Sequence, residues 1–307
     1  MPIKIPDDLP ARRELEAEGI EVISEHDAMR QDVRPLKLAL LNLMPEKIKT
    51  ERQLARLLGG SALQVELNLL QTATYRPTNT PPEHLLAFYK THDAVRDEKF
   101  DGLIITGAPV EELPFEEVVY WQELTEILDW AQSNVFSTFN ICWGAQAALF
   151  HQFGIPKYPI GSKLSGVFPH RLATANTEIL RGFDDVFDVP VSRYTKVKRA
   201  DVDQHDVLDI VAESDEAGVC LIQNAAARQF YMFNHLEYET PTLGDEYRRD
   251  LQSAHPNPVP DHYFPGDDAA APPINRWRSH GHLLIRNWVS IVYQGTPFDM
   301  SKIGSTD

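Results

Sequence analysis

The sequence has few of the features that mark secreted, metal-stabilised or membrane-spanning proteins. Only two cysteines, Cys142 and Cys220, occur in 307 residues, and they stand far apart without CxxC or other metal-ligand spacing. This excludes a disulfide-stapled scaffold and argues against a structural zinc site, so no metal is expected. No apolar run approaches the roughly 18 residues of a membrane helix, and the charged N-terminal stretch MPIKIPDDLPARRELEAEG lacks the apolar region of a signal peptide. We therefore expect a cytoplasmic protein without membrane contact.

The sequence also lacks an excess of basic residues. Its 29 lysines and arginines are outnumbered by 45 aspartates and glutamates, which gives a formal net charge of −16. A surface that binds nucleic acid or anionic lipid needs a basic face, so neither partner is expected. A few local lysines or arginines could still hold an anionic small substrate. The 43% of hydrophobic residues and 24% of charged residues are typical of a globular protein.

Apolar runs of strand length alternate with helical patterns through the first half of the chain. The runs occupy residues 37–44, 63–70, 100–109 and 134–141. Helical periodicity follows in KIKTERQLARLLGG, PFEEVVYWQELTEILDWAQS and WGAQAALFHQFG. Four such alternations predict an α/β fold with a mostly parallel sheet flanked by helices.

The second half of the chain has a different pattern. DVLDIVAES, GVCLIQNAA and RQFYMFNH are separated by short turns and predict hairpin-connected strands added to the sheet. Two helical segments follow, with a long Pro-rich loop between them. No repeat or linker is visible, so we expect one domain over residues 1–307, with a polar lead-in over 1–35 and an α/β core with C-terminal helices over 36–307.

Cys142 lies in NICWGAQAAL, where the fourth predicted strand gives way to small residues that suit the start of a helix. Ligands collect at the carboxyl ends of strands in open α/β sheets, and a helix N-terminus favours a thiolate. Gly144, Ala145 and Ala147 would let the turn pack tightly, as in a nucleophile elbow with sulfur in place of oxygen. From these residues alone, a nucleophile and a buried packing cysteine both remain open. Cys220, inside GVCLIQ, is interpreted as core.

The stretch MFNHLEYE follows the strand-like run RQFYMF and offers a base. His235 and Glu237 are two residues apart, so in extended chain they would point to the same side. His235 could then take the cysteine proton while Glu237 orients the imidazole. The H-x-E pattern at a strand end is more specific than a lone histidine.

Three segments together resemble a known fold. ITGAP, NICWGAQ and NHLEYE resemble the class I glutamine amidotransferase-like fold, whose nucleophile turn is usually G-I-C-x-G-x-Q. Asn140 replaces the first glycine here, and Trp143 follows the cysteine. With LALLNLMPEKIKTE, these departures resemble the homoserine O-acyltransferase family of the MetA type, over nearly the whole chain. The resemblance implies acyl transfer from an acyl-CoA co-substrate to the hydroxyl of L-homoserine, in methionine biosynthesis, without a further cofactor.

The resemblance also implies catalytic roles. Cys142 would attack the thioester and carry the acyl group by a ping-pong mechanism. His235 would be the general base, and Glu237 would orient it. Backbone N–H groups of Trp143 and of the turn formed by Gly107 and Ala108 are candidate oxyanion donors.

Further positions match substrate contacts of the family. Arg249 would pair with the homoserine carboxylate, for which a bidentate guanidinium is suited. Its neighbour Arg248 is the natural control, because from sequence either could be a solvated helix charge. Lys163 and Ser192 match other substrate-binding positions, although without the resemblance both would be taken for surface residues. Lys47, just after the first strand, is a candidate for the same cleft.

Glu111, in GAPVEELPFEE, matches the family position that separates acyl donors. Succinyl-using members carry glycine there, which leaves room for a longer chain with its own carboxylate. A glutamate would fill that space and repel the succinyl carboxylate, so acetyl-CoA is the expected donor. The alternatives are a succinyl-CoA enzyme and a Glu111 that is simply one of many loop acids.

Two functions of other kinds stay open at this point. A glutaminase would use the same Cys–His–Glu set, although the altered NICWGAQ turn argues against it. A non-enzymatic α/β binding protein would use Cys142 only for packing. A homodimer, formed through the N-terminal segment or the Trp-rich C-terminal helix, is a further expectation.

Overall fold

The computed structural model describes residues 3–6, 8–17, 22–23, 34–61, 63–174, 177–252 and 257–304. The α-helices in this part of the chain are α1 (Ala11–Ala17), α2 (Lys47–Gly59), α3 (Pro82–Phe88), α4 (His92–Val95), α5 (Trp121–Asn134), α6 (Trp143–Phe153), α7 (Arg199–Val202), α8 (Thr242–Asp250) and α9 (Arg278–Gly295). The strands are β1 (Ile3–Lys4), β2 (Val22–Ile23), β3 (Leu36–Leu41), β4 (Val65–Leu70), β5 (Tyr89–Lys90), β6 (Phe100–Ile105), β7 (Val135–Ile141), β8 (Tyr158–Leu172), β9 (Val186–Lys196), β10 (Asp209–Ser214), β11 (Gly218–Asn224) and β12 (Gln229–Met232).

The described strands form one sheet in the order β2-β1-β4-β3-β6-β7-β12-β11-β10-β8-β9, with β5 beside β4. The pairs from β2 to β12 along this order are parallel, and those from β12 to β9 are antiparallel. The predicted α/β fold, with a parallel half and added hairpins, is therefore confirmed. The strand β12 lies parallel to β7, which brings the chain after Met232 next to the chain after Ile141.

Alternate residues of the central strands pack against helices on the two faces of the sheet. Leu38 and Leu40 of β3 belong to one buried cluster, which also contains apolar residues of α2 and α9. Ala39 and Leu41 belong to the other, with apolar residues of α5 and α6. Burial on both faces explains why these strands are continuous apolar runs in the sequence. Among the described helices, none is both long and apolar enough to cross a membrane.

The long hairpin of β8 and β9 is absent from the sequence-based prediction. Its fifteen and eleven residues pair antiparallel, with a register irregularity between Pro159 and Leu164. Prolines, glycines and polar residues interrupt β8, and a proline with several polar residues interrupts β9, so neither strand is a continuous apolar run. The pairing with β10 comes from tertiary contacts that a local pattern does not contain.

The predicted lead-in is part of the folded structure where it is described. The strands β1 and β2 extend the sheet beyond β4, and Leu9, Ala11 and Leu15 are buried in the same cluster as α2. A few apolar side chains therefore suffice to anchor this short segment on the sheet and on α2. Residues 18–21 and 24–33 lie outside the described residues.

Candidate active site

Cys142 stands at the sharp turn between β7 and α6. Its φ of 51° and ψ of −117° lie outside the regions that L-residues commonly adopt, and such a conformation persists only where the surroundings hold it. The backbone N–H of Cys142 donates to the carbonyl of Met232 at 2.6 Å. A Cβ on Gly144 would come within 2.5 Å of the Thr106 carbonyl oxygen, so this position has no room for a side chain. The geometry is that of a nucleophile elbow.

His235 lies three residues after the end of β12, in a turn rather than in extended chain. The N–H of Tyr238 donates to the His235 carbonyl at 3.3 Å, and the N–H of His235 donates to Pro190 of β9 at 2.9 Å. The imidazole Nδ1 is 2.6 Å from Oε1 of Glu237. The expected extended geometry was therefore wrong, because β12 ends at Met232, but the turn brings the two side chains into contact.

The imidazole of His235 links Glu237 to Cys142. Because a carboxylate only accepts, Nδ1 carries the proton in the bond to Glu237, and Nε2 is left to face the thiol. His235 and Cys142 line the same cavity, and the charge of each shifts the pKa of the other. Burial lowers the pKa of His235, but the charges of Glu237 and Cys142 outweigh it and raise that pKa well above its usual range. Burial raises the pKa of the Cys142 thiol, and His235 opposes that shift.

Glu111 is a second ionisable group next to the thiol. The Cys142 Sγ donates to Oε1 of Glu111 at 3.4 Å, and the backbone N–H of Tyr194 donates to Oε2 at 2.8 Å. The ammonium of Lys157 donates to the backbone carbonyls of Glu111 and Leu113, which holds the loop. Burial raises the pKa of Glu111, although the Tyr194 N–H and the thiol oppose it.

A cavity of about 310 Å³ opens over these groups, and its lining includes Cys142, His235 and Glu111. Gly107 and Ala108 also line it, and a Cβ on Gly107 would lie 3.1 Å from that of Cys142. A larger cavity, of about 560 Å³, lies near Thr138 at the other end of β7 and contains neither cysteine.

Charged side chains of α8 also line the cavity, next to residues of β8 and β9. The ammonium of Lys163 is 3.1 Å from Oε2 of Glu246 and 2.9 Å from Oδ2 of Asp250. Ser192 donates to the same Glu246 oxygen, and Arg249 lies 2.8 Å from Asp250 and is 69% exposed. Lys163, Ser192 and Arg249 therefore lie together in the lining of one cavity.

The two adjacent arginines differ in position. Arg249 lines the cavity, whereas Arg248 pairs with Asp245 on the exposed side of α8 at 2.7 Å. Sequence reasoning alone left these two equivalent, because the direction of a helix face depends on what the helix packs against.

Two of the predicted supporting residues, Lys47 and Trp143, do not place their side chains in the lining of this cavity. Lys47 is absent from the cavity lining; its ammonium donates to the Asn42 carbonyl and lies 5.4 Å from the Tyr89 ring centre. Burial lowers the pKa of Lys47 to about 8, with Glu51 opposing. The Trp143 side chain is fully buried and packs edge-on against Tyr120 at 6.0 Å. The backbone N–H of Trp143, which opens α6, is the group that the oxyanion prediction concerns.

Sequence reasoning missed Glu246 and Tyr238. Tyr238 stacks on the His235 ring, with centroids 4.2 Å apart and planes 18° from parallel, and its hydroxyl donates to Glu246 at 2.7 Å. Glu246 accepts hydrogen bonds from three side chains and lines the cavity. Its spacing of three residues from Arg249 places both on one face of a helix, a signal that could have pointed to it.

Comparisons with known proteins identify the family to which this chain is similar. A model of the family described as homoserine O-succinyltransferase matches residues 2–298. A homoserine O-acetyltransferase of Hyphomonas neptunium is 54% identical over 304 residues, which cover 99% of this chain and 100% of the relative. A homoserine O-acetyltransferase of Sinorhizobium fredii is 54% identical over 307 residues and covers 100% of both chains.

Solved structures with the same fold are more distant in sequence. A glutamine amidotransferase from Thermotoga maritima has a TM-score of 0.56 at 11% identity, covering 86% of this chain and 100% of that one. A putative GMP synthase component from Thermoplasma acidophilum has a TM-score of 0.55 at 14% identity, covering 85% of this chain and 96% of that one. These likenesses support the class I glutamine amidotransferase-like fold.

Proposed function

Because this chain belongs to the homoserine O-succinyltransferase family, we propose that it is an acyltransferase that acetylates homoserine. It transfers the acetyl group of acetyl-CoA to the hydroxyl of L-homoserine and releases O-acetyl-L-homoserine and CoA, in the cytoplasm, for methionine biosynthesis. The observation that carries the proposal is that the Cys142 thiol, at a strand–helix turn, shares one cavity with His235, whose Nδ1 is hydrogen-bonded to Glu237.

In the first half of the reaction Cys142 becomes acetylated. His235 takes the thiol proton on Nε2, and the sulfur attacks the carbonyl carbon of acetyl-CoA. The oxyanion is held by backbone N–H groups of Trp143 and of the turn at Gly107 and Ala108. The imidazolium returns its proton to the departing CoA sulfur. Glu237 stabilises the imidazolium while it exists and fixes the ring orientation.

In the second half homoserine replaces CoA. His235 removes the proton of the homoserine hydroxyl, and the oxygen attacks the acetyl-thioester. Collapse of the intermediate expels the Cys142 thiolate, which regains a proton from the imidazolium. One thioester is broken and one ester is formed, so the enzyme returns to its starting state.

The charged wall of α8 would bind homoserine. Arg249 is exposed towards the cavity and suits the carboxylate. Glu246 lies beside it and would accept the ammonium group, while Lys163 and Ser192 hold the Glu246 carboxylate in place. This division places the two charges of the amino acid against groups of opposite sign.

Glu111 favours acetyl-CoA over succinyl-CoA. Its carboxylate is buried in contact with the sulfur that would carry the acyl group. A succinyl chain would need this space and would bring a like charge into it. Relatives named homoserine O-acetyltransferase at 54% identity support the same choice.

The decisive measurement is kcat/KM for each donor with homoserine. We expect acetyl-CoA to be preferred, a burst of free CoA from acetyl-CoA alone, and a mass increase located on Cys142 that Cys142→Ala abolishes. A preference for succinyl-CoA would overturn the donor assignment. Activity that survives Cys142→Ala would overturn the covalent mechanism.

A glutaminase is the second candidate, because solved structures of the same fold include a glutamine amidotransferase. Ammonia release from glutamine at a rate comparable to acetyl transfer would support it. We expect no such release, because the family model and the 54% identical relatives are named for acyl transfer to homoserine.

A further inference from the structure

Arg193 of β9 is a buried cation next to the site that the reaction scheme does not use. Its side chain is 2% exposed, and its guanidinium donates to Oδ1 of Asn234 and to the backbone carbonyl of Ala217. Both acceptors are neutral, and among the described residues Nε of Arg193 has no hydrogen-bond partner. A charge in such a place is costly unless an opposite charge faces it.

A directional chain of hydrogen bonds extends from Arg193. His170 Nδ1 is 2.8 Å from the Phe168 carbonyl, which can only accept, so Nδ1 carries the proton. The neutral Nε2 of His170 then accepts from Nδ2 of Asn234 at 2.8 Å, which leaves Oδ1 of Asn234 for Arg193. Each member is fully buried, and each has one compatible orientation.

This chain ends at the residues that hold the reacting groups. Asn234 directly precedes His235, whose own N–H donates to Pro190 of β9. Tyr194, the neighbour of Arg193 on β9, donates its N–H to Glu111. The side chain of Arg193 is thus connected to His235 through a hydrogen bond to the preceding residue, Asn234. The residue after Arg193, Tyr194, holds the Glu111 carboxylate through its backbone N–H.

The charges around the thiol account for the buried guanidinium. The ionisable groups that interact electrostatically with Arg193 are Cys142, Cys220, Glu111 and His170. Those that face Cys142 are His235, Glu111, Arg193 and Tyr238. A thiolate beside the Glu111 carboxylate would place two negative charges together, and His235 alone supplies one positive charge.

We propose that Arg193 is a positioning residue of the active site: it fixes Asn234 and thereby His235, and its charge offsets Glu111 so that the Cys142 thiolate can form beside a carboxylate. This rests on the proposed function only in taking Cys142 as the nucleophile. The thiol can be tested without either substrate, so the two proposals can fail separately.

The test is the pH dependence of Cys142 alkylation by iodoacetamide in the full chain, followed by peptide mass spectrometry that distinguishes Cys142 from Cys220. Arg193→Met, of similar length but neutral, should raise the alkylation midpoint by about one pH unit, which is about tenfold slower labelling at neutral pH. Glu111→Gln should lower the midpoint. The double variant, which loses one charge of each sign, should return close to the wild-type midpoint.

An Arg193→Met protein with a wild-type near-UV circular dichroism spectrum and an unchanged midpoint would overturn the charge role. If Arg193→Met fails to fold, the double variant and Arg193→Lys are used instead to test the charge role and the positioning role. The lysine keeps the charge, so the midpoint should stay within about 0.3 units, but it replaces the planar fork that bonds Asn234 and Ala217 through two nitrogens with a single ammonium. Its kcat for acetyl transfer should fall several-fold; an unchanged kcat would overturn the positioning role, and a midpoint raised by a full unit would overturn the charge role.

Discussion

The Cys142 thiol donates a hydrogen bond to Oε1 of Glu111 across 3.4 Å, while Oε2 of that carboxylate accepts the backbone N–H of Tyr194. The carboxylate is therefore anchored on its far side and presented to the sulfur on its near side. An acyl group carried on Cys142 must share this space with Glu111, so the residue affects both the reactivity of the thiol and the room for the acyl chain.

Substitution of Glu111 should change the choice of donor. We expect Glu111→Gly to raise the ratio of kcat/KM for succinyl-CoA to that for acetyl-CoA by at least about tenfold, because space and like charge are both removed. Glu111→Gln keeps the volume and removes the charge, so its ratio should lie between those of wild type and Glu111→Gly. The ratio cancels any common effect on thiol reactivity. Ratios equal to wild type in both variants would contradict a gating role.

Tyr238 offers two separable contacts with the site. Tyr238→Phe keeps the stack on His235 and loses the hydrogen bond to Glu246, so the KM for homoserine should rise about three- to tenfold. Its burst of CoA release from acetyl-CoA alone should stay near wild type. Tyr238→Leu also loses the stack and should slow that burst. Equal burst rates for the two variants would show that the ring does not position His235.

His170 should make the fold sensitive to acid. Burial lowers the pKa of His170 from 6.5 to about 4, so between those values the unfolded chain binds more protons than the folded one. Stability then rises with pH across this window and is lost as pH falls from about 6.5 to about 4, by about 3 kcal/mol in total.

The control for that prediction is His170→Gln, which retains an acceptor for Asn234 but does not titrate. Urea unfolding of both proteins at pH 7 and pH 4.5 gives the difference in free energy of unfolding. We expect the advantage of wild type over His170→Gln to shrink as the pH falls. An advantage that is constant with pH would mean that His170 does not protonate on unfolding.

The nucleophile turn should tolerate no side chain at Gly144. A Cβ there would meet the Thr106 backbone oxygen at 2.5 Å and the Ile105 backbone oxygen at 3.1 Å, and backbone atoms cannot move aside as a flexible side chain can. We expect Gly144→Ala to lower the free energy of unfolding by about 3 kcal/mol and to displace Cys142. Gly154→Ala, at the other end of α6, has φ of 70° with nothing within 4 Å of the new Cβ, and should cost only about 1 kcal/mol. Thermal unfolding compares the two; equal losses would refute the steric account.

Local patterns were enough for most of the parallel half of the sheet. The strands β3, β4, β6 and β7 are buried on both faces, so each is a continuous apolar run whose length alone indicates a strand. The helix predicted from residue 114 begins at Trp121, after a short 3₁₀ turn at Phe115–Glu117, because Pro114 and the following acids form a separate turn. The hairpin of β8 and β9 was not predictable in this way.

The sequence by itself determined that Cys142 follows a buried strand and opens a helix, and that His235 and Glu237 are close along the chain. Tertiary structure decided everything that depends on direction. In the folded chain Arg249 lines the cavity, whereas Arg248 pairs with Asp245 on the exposed side of α8. The Lys47 ammonium bonds the Asn42 carbonyl outside the cavity lining, and Glu111 contacts the Cys142 sulfur. The physical reason is that residue type and spacing fix which groups are available, whereas contacts between residues far apart in the chain fix where each group points.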